Sequence, residues 1–333
     1  MQKTDRLPPT YSKVSKKGFI MFDNALLYRA HSSIPGPEEM TTLIQEHLFR
    51  SCTPIEAKRV GWSTVCGDVL AYSMQSQYLI LRFRRQERLL PAAAVKELVE
   101  ERAAEMEKVS GSPLRRAEKK LLKEQVYEEL LPTSLKRTGH FLVAIDTKRS
   151  WILIDTASRK KAEEALDLLR ITLGSLKVTP LATRDRATDL MTRWLSTPSE
   201  RADGWALGES CQLESPSGNE GVIKAAEVEL DSEEILQHLE GGRICSALAI
   251  TRTGQLALQL QDDLALKKIK YDDALLEQGD QGDDEASKFD VDAHIHIPAL
   301  VAVTGELITL LGGEVIPVLE DAPEKPAQAP EAA

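Results

Sequence analysis

The chain has 333 residues, with 42 Lys+Arg against 52 Asp+Glu and a formal net charge of −10. Taken as an average, that balance speaks against a phosphate-rich partner, because binding nucleic acid needs positive charge. No apolar run approaches the roughly 18 residues of a membrane span; the polar start MQKTDRLPPTYSKVSKKG is no secretory leader; and Cys52, Cys66, Cys211 and Cys245 form no CxxC, so they read as reduced cytoplasmic thiols rather than a zinc knuckle.

In chain order, residues 1–16 are polar, carry Pro8-Pro9 and are expected to be a disordered extension. An α+β body is expected over 17–90 and 138–200. Residues 19–30 (FIMFDNALLYRA) read as a strand, and 37–50 as a helix with Met40, Leu43, Ile44, His47 and Leu48 at helical spacing. Residues 78–85 (YLILRFRR) read as a strand. Pro91 opens a helix that runs to about 109, Ser110-Gly111-Ser112-Pro113 breaks it, and a second helix spans about 114–131. Two charge-rich helices with so short a connection predict an αα-hairpin, a finger over 91–137 projecting from the body. Residues 140–147 and 151–156 flank Lys148-Arg149-Ser150 as a β-hairpin, and Ser158 caps a helix whose buried stripe is Ala162, Ala165, Leu166, Leu169 and Leu173.

A second α+β region is expected over 201–315. Strands are read at 209–214, 221–230, 244–250, 256–260 and 265–271, with a helix at 231–240. Residues 278–287 read as an acidic loop, 289–297 as a strand, 304–311 as a helix, and 316–333, rich in Pro, Ala and Glu, as a disordered tail. Short strands interleaved with helices place the fold in the α+β class.

The charge is unevenly spread. From residue 272 onward there are 15 acidic residues and two basic ones, a net −13, whereas residues 1–271 hold 40 basic and 37 acidic, a net +3. Within 82–137 the balance is 14 basic to 10 acidic. Arg115, Arg116, Lys119, Lys120 and Lys123 fill an arc of roughly 140° on the second finger helix. Lys136 and Arg137 follow it, and Arg82, Arg84, Arg85 and Arg88 cluster at the end of a strand. Such a set either tracks a phosphate backbone or is a solvated helix with i,i+4 pairs such as Lys120 with Glu124. Lys267-Lys268-Ile269-Lys270 would put Lys268 and Lys270 on one strand face, as a second basic patch or as the lysines that protect an edge strand. Arg159-Lys160-Lys161 at a helix start reads as an anion site or as solvent-exposed charge.

Two sets of acids carry possible catalytic chemistry. Asp290, Asp292, His294 and His296 alternate, so a strand would gather them on one face, either as metal ligands or as the polar side of a half-buried strand. Asp146 and Asp155 end two strands, where paired carboxylates would serve a metal-dependent nuclease and lone ones would cap turns. No P-loop, GxGxxG or GxSxG is present. Aromatic residues are 5% of the chain, which weakens models built on base stacking along single strands.

Gly61-Trp62, ERLLPAAAVKELVEER (87–102), LLP (130–132), IDT (145–147), DTASRKKAEEALDLLRITLGSL (155–176), the 267–270 lysines, GEL (305–307) and LGGE (311–314) occur in an order that resembles the recombination-associated RdgC family. The resemblance covers about residues 19–314. It implies a ring-shaped homodimer around duplex DNA, binding without sequence preference, no catalysis or cofactor, and limited access of RecA to DNA, in the cytoplasm at the nucleoid. Leu135 stands where relatives carry an aromatic residue that helps close the ring, so it is the dimer-interface candidate. The DNA-binding candidates are Arg82, Arg84, Arg115, Arg116, Lys119, Lys120, Lys123, Lys136, Arg137, Lys268 and Lys270. The readings set against this are a metal-dependent nuclease and a protein-interaction module without DNA binding.

Overall fold

The structure, a computed structural model, describes residues 21–217, 221–279 and 284–317. The expected N-terminal extension, most of the tail and part of the acidic loop lie outside the described residues. The first half contains β1 (Leu26–Ala30), α1 (Pro37–Gln45), β2 (Lys58–Ser63), β3 (Ala71–Met74), β4 (Tyr78–Leu89), α2 (Ala92–Ser110), α3 (Arg116–Leu130), β5 (Leu135–Asp146), β6 (Trp151–Ile154), α4 (Arg159–Leu173), β7 (Val178–Pro180) and α5 (Ala187–Ser196). The second contains β8 (Trp205–Glu214), β9 (Val222–Ala226), α6 (Glu233–Glu240), β10 (Ile244–Arg252), β11 (Leu256–Gln261), β12 (Leu266–Tyr271), α7 (Asp273–Gly279) and α8 (Glu285–Leu310). The α+β class is as expected.

Two antiparallel sheets organise these elements: a seven-stranded one ordered β2-β4-β5-β6-β1-β7, with β3 also on β4, and a five-stranded one ordered β12-β11-β10-β8-β9. The first sheet is apolar on both faces. Leu79, Leu81 and Phe83 of β4 with Val143 and Ile145 of β5 pack against α1 and α4 through Met40, Ile44, Ala162, Ala165 and Leu169. The alternate residues Tyr78, Ile80, Leu142 and Ala144 join α5, α8 and the inner face of the second sheet in a larger core. Period-two alternation thus splits one strand pair between two cores.

Local chemistry sets the helix ends. Pro37 opens α1, with Glu38 and Glu39 in the first turn facing the positive dipole end. Gly111 closes α2 at φ +68°. Ser158 Oγ accepts the Lys161 N–H at the start of α4. The hairpin of α2 and α3 has its own small core, formed by Val95, Ala103, Leu122 and Val126 with Leu98, Val99 and Leu130.

The strand expected at 289–297 is instead part of α8. Phe289, Ala293, Ile297, Leu300, Val301, Leu307, Ile308 and Leu311 recur at helical spacing and are all buried. Burying that stripe along a 26-residue helix outweighs a short apolar/polar alternation and the backbone hydrogen bond forgone at the internal Pro298. The acid and histidine residues therefore part company: Asp292 and His296 are buried, while Asp290 and His294 lie at the surface. Asp290 accepts the Tyr72 hydroxyl and lies beside His294. The helix is long and apolar enough to cross a bilayer by composition, and its apolar stripe is spent on the core.

His296 is fully buried, stacked 4.2 Å from the Tyr271 ring. Burial pulls its pKa down to about 4. Asp155 accepts the backbone N–H groups of Asp23 and Asn24, yet burial pushes its carboxyl up to about 7. The two act oppositely on stability. A histidine with a depressed folded pKa loses stability as pH falls from about 6.5 towards 4; a carboxyl with a raised folded pKa gains it as pH falls from about 7 towards 4. The native protein should therefore show weak pH dependence from this pair. His296→Phe should make denaturation midpoints rise on acidification between about pH 7 and 4, and Asp155→Asn should make them fall. Separately, a Cβ at Gly61 would lie 2.5 Å from the Phe49 Cα. Gly61→Ala should cost about 1–3 kcal/mol in chemical denaturation.

Candidate nucleic-acid interface

The finger grows out of the ends of β4 and β5, which pair without a break from Tyr78↔Asp146 to Leu89↔Leu135. Its base is tied by Arg88, whose guanidinium donates to the carbonyls of Leu131, Pro132, Ser134 and Thr53. On α3 the charges segregate. Arg116, Lys119, Lys120 and Lys123 occupy roughly 100° of the helix circumference, with Glu124 at its border and Glu118, Glu128 and Glu129 facing away. Leu122 and Val126 lie beside the cations and pack on α2. Arg115 precedes the helix, its backbone N–H donating to Glu118 Oε2 at 2.7 Å.

These cations are not equally available. Lys119 Nζ is 3.1 Å from Glu107 Oε1, and Lys120 Nζ is 3.7 Å from Glu124 Oε1, both on solvent-exposed side chains where pairing is weak. Arg115, Arg116 and Lys123 form no ion pair among the described residues.

On β4, Arg82 and Arg84 continue the face that carries Ile80, beyond the edge of the larger core. Arg84 is exposed, its guanidinium carbon 4.6 Å from the centroid of the Phe49 ring. Opposite Arg84 stands His140 on β5. Farther along the same face the loop after α1 covers the sheet: Gln86 accepts the Cys52 N–H, and Lys136 Nζ donates to the Cys52 carbonyl at 2.9 Å. Arg84 and His140 are exposed between the core and this loop, with the half-buried Arg82 beside them. Loss of hydration and the positive charges of Arg82 and Arg84 depress the pKa of His140.

Three expectations need correction. Lys136 and Arg137, expected after the second helix within the finger, are the second and third residues of β5. Being consecutive in a strand, they point to opposite faces and cannot line one surface. Arg137 joins the α4 side, where it pairs with Glu87 in a network that also holds Arg85, Glu164 and Lys58. Lys268 and Lys270 do not share a regular strand face either. The β11–β12 ladder slips between Ala257 and Gln259, and Lys268 takes φ +52°. That bulge puts Lys267 and Lys270 on one face while Lys268 stays exposed at the kink. Lys268 N–H donates to Asn24 Oδ1, joining the second sheet to the segment before β1.

Leu135 is 76% exposed at the first position of β5, beside the partly exposed Leu89 on the salt-bridged face. Arg159 is engaged with Asp263, so the start of α4 is a bridge to the second sheet. Asp146 accepts from Gln77 Nε2, the Arg149 side chain and the N–H groups of Lys148 and Arg149, which makes it a turn cap. Asp155 donates its N–H to the Leu142 carbonyl, four residues along β5 from Asp146, or about 13 Å at strand rise. Among the described residues no three His, Cys, Asp or Glu side chains gather as a metal would require.

Residues 20–314 match the family model described as "Putative exonuclease, RdgC". Among curated proteins, the recombination-associated protein RdgC of Tolumonas auensis is 31% identical over 299 residues, covering 88% of this chain and 98% of that protein. That of Actinobacillus succinogenes is 33% identical over 298 residues, covering 88% and 98%. That of Yersinia enterocolitica is 32% identical over 301 residues, covering 89% and 99%. With its two antiparallel sheets and a helical finger rising from β4 and β5, this chain belongs to the RdgC family of recombination-associated proteins.

Proposed function

We propose that this protein binds double-stranded DNA through its phosphates, without reading sequence and without cutting it. It does so as a ring-shaped homodimer that limits RecA-mediated recombination by occupying the duplex, at the nucleoid in the cytoplasm. The observation that carries this reading is the segregation of charge along one continuous stretch of chain. Cations gather on one side of α3, and the strands that hold up the finger add the exposed Arg84, with the half-buried Arg82 on the same sheet face. Nothing in this arrangement resembles a reading head for base edges, so contacts fall on phosphates. Single-stranded DNA presents the same phosphates, but with aromatic residues only 5% of the chain it would find few stacking platforms and bind more weakly. The exposed Leu135 beside Leu89 offers an apolar patch at the finger base for the second protomer.

The description of the matching family model favours a second reading, an exonuclease. Asp146 and Asp155 argue against it, because each is committed to backbone N–H groups and they sit apart on the sheet. The non-catalytic reading expects linear and closed circular duplex to survive prolonged incubation with Mg²⁺ or Mn²⁺. Cleavage that is lost in Asp146→Ala would replace it.

Salt titration of duplex binding tests the interface. The logarithm of affinity should fall with the logarithm of salt concentration, with a slope of about −0.9 per phosphate contact. Reversing Arg116 and Lys120 to Glu should make the slope shallower by about 2. Reversing Arg84 should act in the same direction. Arg137→Glu should leave the slope unchanged, since Arg137 is bound to Glu87 on the other side of the sheet. Binding that ignores salt, or equal effects of the Arg84 and Arg137 reversals, would overturn the assignment.

A further inference from the structure

The second sheet carries cations for which the finger has no use. β12 reads Leu266-Lys267-Lys268-Ile269-Lys270-Tyr271, and strict alternation would turn Lys268 and Lys270 inward with Leu266 while leaving Ile269 and Tyr271 outside. The bulge at Lys268 reverses this: Ile269 and Tyr271 are buried, Lys268 and Lys270 are exposed, and Lys267 is half-buried. Burial of the two apolar side chains thus explains the bulge. It does not explain a lysine at φ +52°, a conformation that glycine or asparagine takes more readily. Guarding an open sheet edge against aggregation does not explain it either. The outer edge of β12 is covered by the segment before β1: Ala25 and Leu266 exchange both backbone hydrogen bonds, and Ile269 N–H donates to the Asp23 carbonyl. Nor are the lysines consumed by carboxylates. Lys267 Nζ is 3.0 Å from Gln261 Oε1, a neutral group. Lys268 and Lys270 form no ion pair among the described residues. Of the acids next to the strand, Asp263 accepts from Arg159 and the Ala265 N–H, and Asp272 accepts the Ala274 N–H.

We propose that Lys268 and Lys270, with Lys267 beside them, form a second phosphate-contact surface for duplex DNA, on a different sheet from the one that holds up the finger. This deepens, and rests on, the reading of the protein as a duplex-binding one. The chemistry around the lysines selects the ligand. Opposite Lys267 and Lys270 on β11 stand Gln259 and Ala257, so the face around the ammonium groups has no large apolar anchor of the kind that carries a protein interface. What remains is a row of flexible point charges, which suits the spaced, sequence-independent anions of a phosphate backbone. Lys268 is the residue on which the surface turns. The left-handed backbone at the bulge lifts its side chain out of the sheet, and Asn24 Oδ1 holds that kink by accepting the Lys268 N–H.

The test is a salt titration of the full-length protein on a linear duplex of generic sequence. Reversing Lys268 and Lys270 to Glu together should make the slope shallower by about 2, and adding the Arg116 and Lys120 reversals should bring the change to about 4, as two surfaces on one duplex require. Lys268→Gly separates binding from folding. Glycine relaxes the positive φ, so the denaturation midpoint should be no lower than native, yet the slope should be shallower by about 1. A folded Lys268→Gly protein with the native slope would overturn the second surface while leaving the duplex reading intact. So would a double reversal that keeps the native slope, whether it stays soluble or aggregates through β12. A native protein that retains no duplex at low salt would overturn the duplex reading, and the second surface with it.

Discussion

The antiparallel pairing of β4 with β5 is the constraint on which the rest of the molecule depends. Twelve consecutive residue pairs hold the two strands in one register from the core to the finger. From Leu79 to Leu81, opposite Ile145 to Val143, both faces of this ladder are apolar, and each is buried in a different core. From Arg82 outward the same alternation sorts charge. One face presents Arg82, Arg84 and His140, and the other sets Arg85, Glu87 and Arg137 against α4. The finger is the loop that closes this ladder, expanded into two helices. Its position is therefore inherited from strand pairing and from the four carbonyls gathered by Arg88.

Much of this was legible in the sequence, where local chemistry and periodicity agreed. Ser110-Gly111-Ser112-Pro113 marks the turn between α2 and α3, and the stripe from Ala162 to Leu173 marks α4. The cationic character of α3 could be read directly from its residue spacing. Errors arose where a short pattern competed with a longer one, or where long-range pairing decides. The alternation from Asp290 to Ile297 is real, yet it lies inside a longer helical stripe that only the core can reward. Arg137 is a cation by composition, and only its register opposite Glu87 shows it to be paired on the α4 face. The bulge at Lys268 leaves no mark in KKIK, because any of the three lysines could stand at the kink. His140 was passed over as the start of a strand; writing β4 and β5 as a paired ladder would have set it opposite Arg84.

The acidic C-terminal end bears on the same question of which charges count. Glu314 pairs with Arg29 and accepts the Trp151 indole N–H, and Glu306 pairs with Arg252. Asp292 is buried and Asp284 caps the start of α8. Several of these carboxylates are thus consumed in holding α8 and the segment after it to the body. The net charge of −10 describes the chain, whereas the field near the finger is set by the cations left without such partners.

The finger's small private core has a mechanical meaning. Val95, Ala103, Leu122 and Val126 are the buried apolar residues of its two helices among those described, and neither large core extends into it. A unit with so little buried surface opens and recloses at a fraction of the cost of unfolding the body. The arm and the trunk should therefore behave as two cooperative units joined by a stiff ribbon. Amide hydrogens of α2 and α3 would exchange through local melting, those of β4 and β5 through global unfolding, and the boundary between the two regimes would fall at Arg88.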